Sequence, residues 1–158
     1  MKVRTGLAGA AFIGALCAAS PSLAADDDCG GKKGPNRISV QVTGVSPAQG
    51  EVAVTLYPDE ARRFLAPRGK LLRTRVKARA AVTHACFWVP TPGVYAIAVY
   101  HDANGDQDFN RNAVGMPAEG FGFSNDAPTR VGLPSFDKVR FRAKAGETTL
   151  TIRMRYQR

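Results

Sequence analysis

The sequence predicts an all-β protein, an antiparallel two-layer β-sandwich of about seven strands with one short helix. Short stretches alternate apolar and polar residues with period two, and turn residues separate them. No helical pattern is long enough to cover a sheet, so the apolar strand faces must be buried on each other. With 44% apolar and 22% charged residues, the chain of 158 residues is not a disordered polyelectrolyte.

The alternation begins at residue 38. Apolar residues occupy every second position over 38–42 and again over 52–56, on either side of the turn 46–50. Both stretches predict strands. Residues 58–66 predict a short helix, because Pro58 stands near its start and acidic residues lie in its first turn.

The remaining strands are predicted further along the chain. They cover 72–80, 83–89, 94–100, 136–143 and 148–156. A long segment rich in Gly and Asn, 101–134, separates the last two from the others. The apolar residues of these strands are expected in the core.

The N-terminus predicts a cleaved signal peptide, residues 1–24. Lys2 and Arg4 form a basic region, 7–19 is apolar, and small residues precede the expected cleavage site after Ala24. The apolar stretch is too short to span a membrane, so no transmembrane helix is expected in the mature chain. The mature protein is expected in the periplasm or outside the cell.

The exported part is expected to comprise a flexible leader, 25–36, and one β-sandwich domain, 37–158. It retains two cysteines, Cys29 and Cys86. In an oxidising compartment two cysteines predict one disulfide bond. The alternative is a buried thiol at Cys86 and an unpaired Cys29 in the leader.

One loop carries an alternating set of oxygen donors. They occupy every second position, at Asp102, Asn104, Asp106, Asp108 and Asn110. Calcium binds six to eight oxygens, and carboxylates this close together repel one another without a cation. Gly105 permits a tight turn, and either Glu119 or a backbone carbonyl is the expected further ligand. The sequence therefore predicts a calcium site; a turn whose side chains cap backbone groups and bind nothing is the alternative.

The same loop leaves two other chemistries open. A transition metal would use His101, but such sites need two or three nitrogen or sulfur ligands, and His84 is the sole other histidine. Asp108 and Glu119 could act as the acid pair of a glycoside hydrolase, although the sequence does not fix their separation. We expect no enzymatic activity, with a hydrolytic or carbohydrate-active domain as the alternative.

Basic residues recur at spacing two in three predicted strands. They are Arg73, Arg75, Lys77, Arg79, Lys138, Arg140, Arg142, Lys144, Arg153 and Arg155. Residues two apart share one face of a strand, so each row predicts a basic ridge. Such a face would suit an anionic envelope polymer or polysaccharide. Alternatively, the charges only solvate the strands and discourage aggregation at sheet edges. No nucleic acid partner is expected, because the chain is exported and lacks a reader motif.

The segment GFGFSN, 120–125, places Phe121 and Phe123 at period two. Both rings therefore point to one side, and the glycines between them allow close approach of another backbone or a ligand. We expect the rings to plug the end of the sandwich beneath the long loop. A solvent-facing platform that stacks on a sugar is the alternative.

Three segments together resemble a bacterial protein family. They are GVYAIAVYHDANGD at 93–106, GMPAEGFGFSND at 115–126 and PSF at 134–136. Over about residues 37–156 the chain resembles the family called domain of unknown function 2141, DUF2141. The resemblance implies a small, exported β-domain of transthyretin or immunoglobulin type, and it carries over no catalytic residue. Gln107 stands where such loops often have glycine.

Overall fold

The computed structural model describes residues 28–129 and 132–157. The predicted signal peptide lies outside the described residues. The strands are β1 Asn36–Thr43, β2 Glu51–Pro58, β3 Leu72–Lys77, β4 Val82–Val89, β5 Gly93–Asp102, β6 Phe121–Phe123, β7 Phe141–Ala143 and β8 Glu147–Arg153. The helical segments are 3-10 turns at Ala61–Arg63 and Ser124–Asp126 and one α-helical turn, α1, Phe136–Val139.

The strands form two sheets, which confirms the predicted β-sandwich with eight strands instead of about seven. One sheet has the order β4-β1-β8, and the other has β3-β2-β5-β6, with β7 also paired to β5. All strand pairs are antiparallel except β1 and β8, which run parallel. The first and last strands of the domain are therefore neighbours.

The main core lies between the two sheets. Ile38, Val40 and Val42 of β1 and Val54 and Leu56 of β2 are at most 1% exposed. Their spacing is the period-two pattern of the sequence, because alternate side chains of a strand point to the same face. The predicted inward faces of these two strands are confirmed.

A second apolar cluster covers the opposite, outer face of the five-stranded sheet. Its buried members are Tyr57, Ala96, Phe121, Phe123, Ala127, Phe136 and Val139. Phe64, beside the 3-10 turn Ala61–Arg63, packs against the cluster from above. The two phenylalanines of GFGFSN therefore lie beneath a covering layer on this face, and not at the end of the sandwich.

Two predicted elements differ in kind from the prediction, and the strands predicted over 72–80 and 148–156 end three residues early. The helix predicted over 58–66 is only a 3-10 turn at Ala61–Arg63. The segment predicted as a strand over 136–143 begins with the helical turn α1, and the strand itself covers only Phe141–Ala143. Phe136 and Val139 are both buried, and a spacing of three places them on one side of a helical turn but on opposite sides of a strand.

The predicted leader is attached to the sheet where the structure describes it. The Gly30 N–H donates to the Cys86 carbonyl oxygen and the Trp88 N–H donates to the Gly30 carbonyl oxygen, each at 2.9 Å. The predicted disulfide joins Cys29 to Cys86, whose Cα atoms are 4.6 Å apart. A Cβ atom at Gly30 would lie 2.9 Å from the Phe87 ring, so only glycine fits this close approach. The described part of the predicted leader is therefore held against β4 by two backbone hydrogen bonds and one disulfide bond.

Candidate metal centre in the acidic loop

The acidic loop is organised around Asp102, the last residue of β5. Its side chain is fully buried. Oδ1 accepts the Gly105 N–H at 2.7 Å and Oδ2 accepts the Gln107 N–H at 2.9 Å. Gly105 and Gln107 have φ values of 74° and 68°, so the chain turns sharply around the carboxylate. The Asp102 side chain thus fixes the start of the loop.

Arg75 of β3 holds the same carboxylate from the side. Its Nη1 lies 2.8 Å from Asp102 Oδ2 and 3.8 Å from a Glu51 carboxylate oxygen. Its Nη2 donates to the Tyr100 hydroxyl and to the Gln107 carbonyl oxygen, each at 2.6 Å. The register of β3, β2 and β5 aligns Arg75 with Tyr100 across the sheet. Arg75, predicted as part of a basic ridge, is therefore a component of the loop site.

Five of the six predicted ligands come together in the folded loop. Carboxylate oxygens of Asp102, Asp106 and Glu119 all lie within 4.8 Å of one another. The Asn104 and Asn110 amides donate to Asp106 Oδ2 at 2.7 and 2.9 Å. The result is a compact oxygen-rich cluster at one end of the five-stranded sheet.

Asp108 is the predicted ligand that does not join this cluster. Its backbone N–H donates to Asp106 Oδ1 at 2.9 Å, and its side chain is exposed beside Phe109 along a neighbouring groove. The every-second-residue pattern fails at this position because the loop is not an extended strand. A regular alternation would require extended backbone throughout.

The carboxylates of the cluster repel one another. Partial burial raises the pKa of Glu119 above its ordinary value, and the nearby charges of Asp102 and Asp106 raise it further. The Asn110 N–H, which donates to Glu119 Oε2 at 3.0 Å, acts in the opposite direction. The cluster therefore favours any group that brings positive charge close to Glu119.

His101 is engaged by protein groups on both ring nitrogens. The buried ring places Nε2 2.8 Å from the Gln49 carbonyl oxygen and Nδ1 2.9 Å from the Tyr156 hydroxyl. A carbonyl oxygen only accepts, so Nε2 carries a proton. The Tyr156 hydroxyl also accepts the Ser46 N–H at 2.9 Å. This arrangement makes His101 a linker between loops and leaves no ring nitrogen directed at the acidic cluster.

The predicted basic residues are distributed over both sheets. Arg73, Arg75 and Lys77 lie on β3, and Arg79 follows that strand. Arg142 lies on β7 and Arg153 on β8. Two others form ion pairs, Arg140 with Asp137 at 3.6 Å and Arg155 with Asp126 at 2.8 Å. The rows do not combine into one continuous basic face, and Lys138 belongs to α1 and not to a strand.

Fold and site together define the class of this protein: a small β-sandwich domain with an oxygen-rich acidic loop at the end of one sheet. None of the helices among residues 28–129 and 132–157 is long and apolar enough to cross a membrane. A sequence family described as "Uncharacterized protein conserved in bacteria (DUF2141)" matches residues 40–151. The chain belongs to this family, as the resemblance of its three segments predicted. No curated protein and no solved structure shows significant similarity to it.

Proposed function

We propose that the chain is an exported, non-enzymatic binding or structural module of the bacterial envelope whose acidic loop binds one calcium ion. The observation that carries the proposal is the convergence of the Asp102, Asp106 and Glu119 carboxylates within 4.8 Å. Calcium binds carboxylate and amide oxygens in flexible loops of this kind. The ion would hold the loop in one conformation on the end of the sheet.

The charge of the cluster suits a divalent cation. Three ionised carboxylates carry three negative charges, and Arg75, which lies 2.8 Å from Asp102 and 3.8 Å from Glu51, offsets at most one of them. At least two negative charges therefore remain, and one calcium ion would neutralise two. Magnesium fits this loop less well, because it demands a nearly ideal octahedral set of ligands and retains its waters.

The two amides offer further oxygen ligands. Asn104 and Asn110 direct their NH₂ groups at Asp106 Oδ2. Rotation of each amide by half a turn would place its carbonyl oxygen where the NH₂ group is now. The carboxylates of Asp102, Asp106 and Glu119 together with these two oxygens approach the six to eight that calcium requires.

Export is supported by two features that are independent of the loop. The N-terminal residues have the basic, apolar and small-residue order of a signal peptide. The Cys29–Cys86 disulfide is of the kind that persists in oxidising compartments such as the periplasm. We propose the periplasm or the cell exterior as the location of the mature protein.

The non-enzymatic part of the proposal rests on how the reactive side chains are used. Ser124 is fully buried and its hydroxyl bonds to the backbone of Ile97 and Val139, so it is not placed as a nucleophile. His101 bonds to Gln49 and Tyr156. These groups carry structural contacts, whereas an active site needs them free to meet a substrate.

A calcium titration followed by thermal unfolding tests the metal proposal. Ligand that binds only the native state stabilises it by about 2.7 kcal/mol at a hundredfold excess over the dissociation constant. We therefore expect the unfolding midpoint to rise with calcium concentration in the purified protein. The Asp106→Asn variant should lose this response, because Asp106 lies at the centre of the cluster.

Asp108→Asn is the matched control, because it removes the same charge from a side chain of the same loop that lies outside the cluster. It should keep the calcium response. An unchanged midpoint of the unmodified protein at millimolar calcium would remove the metal proposal. If Asp106→Asn and Asp108→Asn lose the calcium response equally, the calcium site does not lie in the cluster.

A further inference from the structure

A cavity of about 210 Å³ opens on the outer face of the five-stranded sheet, beside the acidic cluster, and two residues of the acidic loop, Phe109 and Arg111, line it. Its lining is mostly aromatic and aliphatic, and the residues that form its walls are Tyr57, Tyr100, Phe109, Phe121 and Phe123. Ala98 of β5 lies on its floor and is paired with Thr55 and Phe123 in the neighbouring strands. The small side chain of Ala98 between larger neighbours leaves the space that forms the cavity.

Two leucines stand at the cavity with much of their surface in solvent. Leu65 is 37% exposed and Leu133 is 53% exposed, and both line the cavity. Large apolar side chains that remain exposed around a concave apolar surface mark binding sites more often than scattered ones do. An occupant of the cavity would cover both of them.

Arg73 brings a positive charge to the cavity. Its Nε donates to Thr55 Oγ1 at 2.8 Å, and its guanidinium carbon lies 5.8 Å from the centre of the Tyr100 ring. Its charge also acts on the Tyr57 hydroxyl, whose pKa burial raises and Arg73 lowers. Within residues 28–129 and 132–157, Arg73 forms no ion pair with an acidic side chain, whereas its strand neighbour Arg75 does.

Arg111 brings a second positive charge to the same cavity. Its guanidinium carbon lies 5.4 Å from the centre of the Phe109 ring, and Nη1 donates to the Gly115 carbonyl oxygen at 3.0 Å. It too forms no ion pair with an acid in the described part of the chain. A groove next to the cavity adds Arg68, Lys70 and one acidic residue, Asp108. The basic residues at the rim of the apolar cavity therefore outnumber the acidic one.

We propose that this cavity binds a small aromatic anion, a body of one or two rings that carries one acidic group such as a carboxylate or sulfonate. The rings would lie against the aromatic walls, and the acidic group would meet Arg73 and Arg111. The volume is below the range of about 300–1,000 Å³ typical of drug-sized ligands, which favours a small body. Guanidinium groups bind planar oxyanions by paired hydrogen bonds. The proposal requires no calcium ion, although Phe109 and Arg111 flank Asn110 of the acidic loop.

Isothermal titration calorimetry with 1-naphthalenesulfonate tests this proposal, since the probe joins two fused rings to one sulfonate. 1-Naphthalenesulfonamide is the neutral comparison, with the same rings and no charge at neutral pH. We expect saturable binding of the sulfonate probe to the native protein. Arg73→Gln and Arg111→Gln should each weaken it about tenfold, the loss expected for one hydrogen bond to a charged group. Binding of the neutral probe should change less than about twofold.

Two further variants keep the test specific. Ala98→Leu fills the floor of the cavity and should abolish binding of both probes. Arg153→Gln removes the same charge from the exposed face of β8, on the other sheet, and should leave binding unchanged. Unfolding midpoints of all variants verify that the native state is measured. The proposal is overturned if Ala98→Leu still binds the sulfonate probe, or if Arg73→Gln and Arg111→Gln weaken it no more than Arg153→Gln.

Discussion

At the level of single residues, the pair of Arg75 and Asp102 differs from the surface ion pairs of this protein. The Asp102 side chain is 0% exposed and the Arg75 side chain 19%, whereas Arg62, paired with Glu60, is 87% exposed. A buried charge that loses its partner is costly, and an exposed one is solvated by water. The two pairs have similar distances, 2.8 and 3.2 Å, but should differ strongly in their effect on stability.

Arg75→Gln should lower the free energy of unfolding by about 3 kcal/mol, because it leaves the buried Asp102 carboxylate without its counter-ion. Chemical denaturation at neutral pH measures this loss. Arg62→Gln is the control and should change stability by less than about 0.5 kcal/mol. Equal effects of the two substitutions would contradict the assignment of Arg75 as the partner that holds the loop.

Glu119 provides a pH prediction. In the folded protein the pKa of the Glu119 carboxyl is raised above the ordinary value of 4.5. Protonation of Glu119 at low pH therefore stabilises the native state. This contribution is fully present below pH 4.5 and is lost as the pH rises through the raised folded pKa. Without calcium, Glu119→Gln should therefore be slightly more stable than the unmodified protein at pH 7 and equally stable near pH 4. Thermal melts with a chelator at the two pH values measure the difference.

Calcium should reverse that order at pH 7, because the substitution removes a proposed ligand. The Asn110 N–H keeps an acceptor in the glutamine, so the loop connection is preserved. If Glu119→Gln is less stable than the unmodified protein in chelator at pH 7, the repulsion inferred for the cluster is wrong.

The sequence predicts which residues form the acidic loop better than it predicts the contacts that these residues make. The loop is recognisable because such a run of alternating Asp and Asn residues is unusual. The contact of Arg75 with Asp102 joins residues 27 positions apart and depends on the register of three strands. Ser124 is a comparable case, since its bonds to Ile97 and Val139 arise only when β5, β6 and α1 have assembled. Local patterns carry no information on such pairings.

At the level of elements, the positions of the strands were predicted well and the short helical turns were not. β1 alternates between buried and half-buried residues, because one set of its side chains fills the core, whereas β2 is buried on both faces. In β5 the second apolar cluster also covers the outer face, so the alternation there is blurred. α1 was mistaken for a strand because four residues are too few to display helical periodicity.

The disulfide links the described part of the leader to β4 and provides the prediction at this level. It closes a loop of 57 residues, which should restrict the unfolded chain by about 4 kcal/mol. The variant with both Cys29→Ser and Cys86→Ser should therefore be less stable by a few kcal/mol in chemical denaturation. A reducing agent should destabilise the unmodified protein similarly.

The double variant also controls for other effects of the reducing agent. It has no disulfide bond to reduce, so the reducing agent should not change its stability. If reduction leaves the unmodified protein as stable as before, the bond contributes nothing to the fold. If the double variant is less stable but reduction leaves the unmodified protein unchanged, the loss of stability comes from altered packing of Cys86 against β1, where Cys86 is paired with Ser39.

At the level of the whole molecule, the absence of long helical patterns was sufficient to predict two packed sheets. The sequence did not predict the additional layer on the outer face of the five-stranded sheet, where Phe64, Phe136 and Val139 cover part of the surface. This partial cover leaves the cavity between Leu65 and Leu133 open. A layer built from one 3-10 turn, one helical turn and a long loop has no regular periodicity, so sequence patterns do not reveal it.

The parallel pairing of β1 with β8 has a consequence for biogenesis. Arg37 is aligned with Glu147 and Thr43 with Arg153, so the strand that is synthesised last completes a sheet that the first one begins. A nascent chain that has not reached residue 147 has nothing to pair with that side of β1. The smaller sheet therefore cannot be completed on the ribosome until β8 has been synthesised and has emerged.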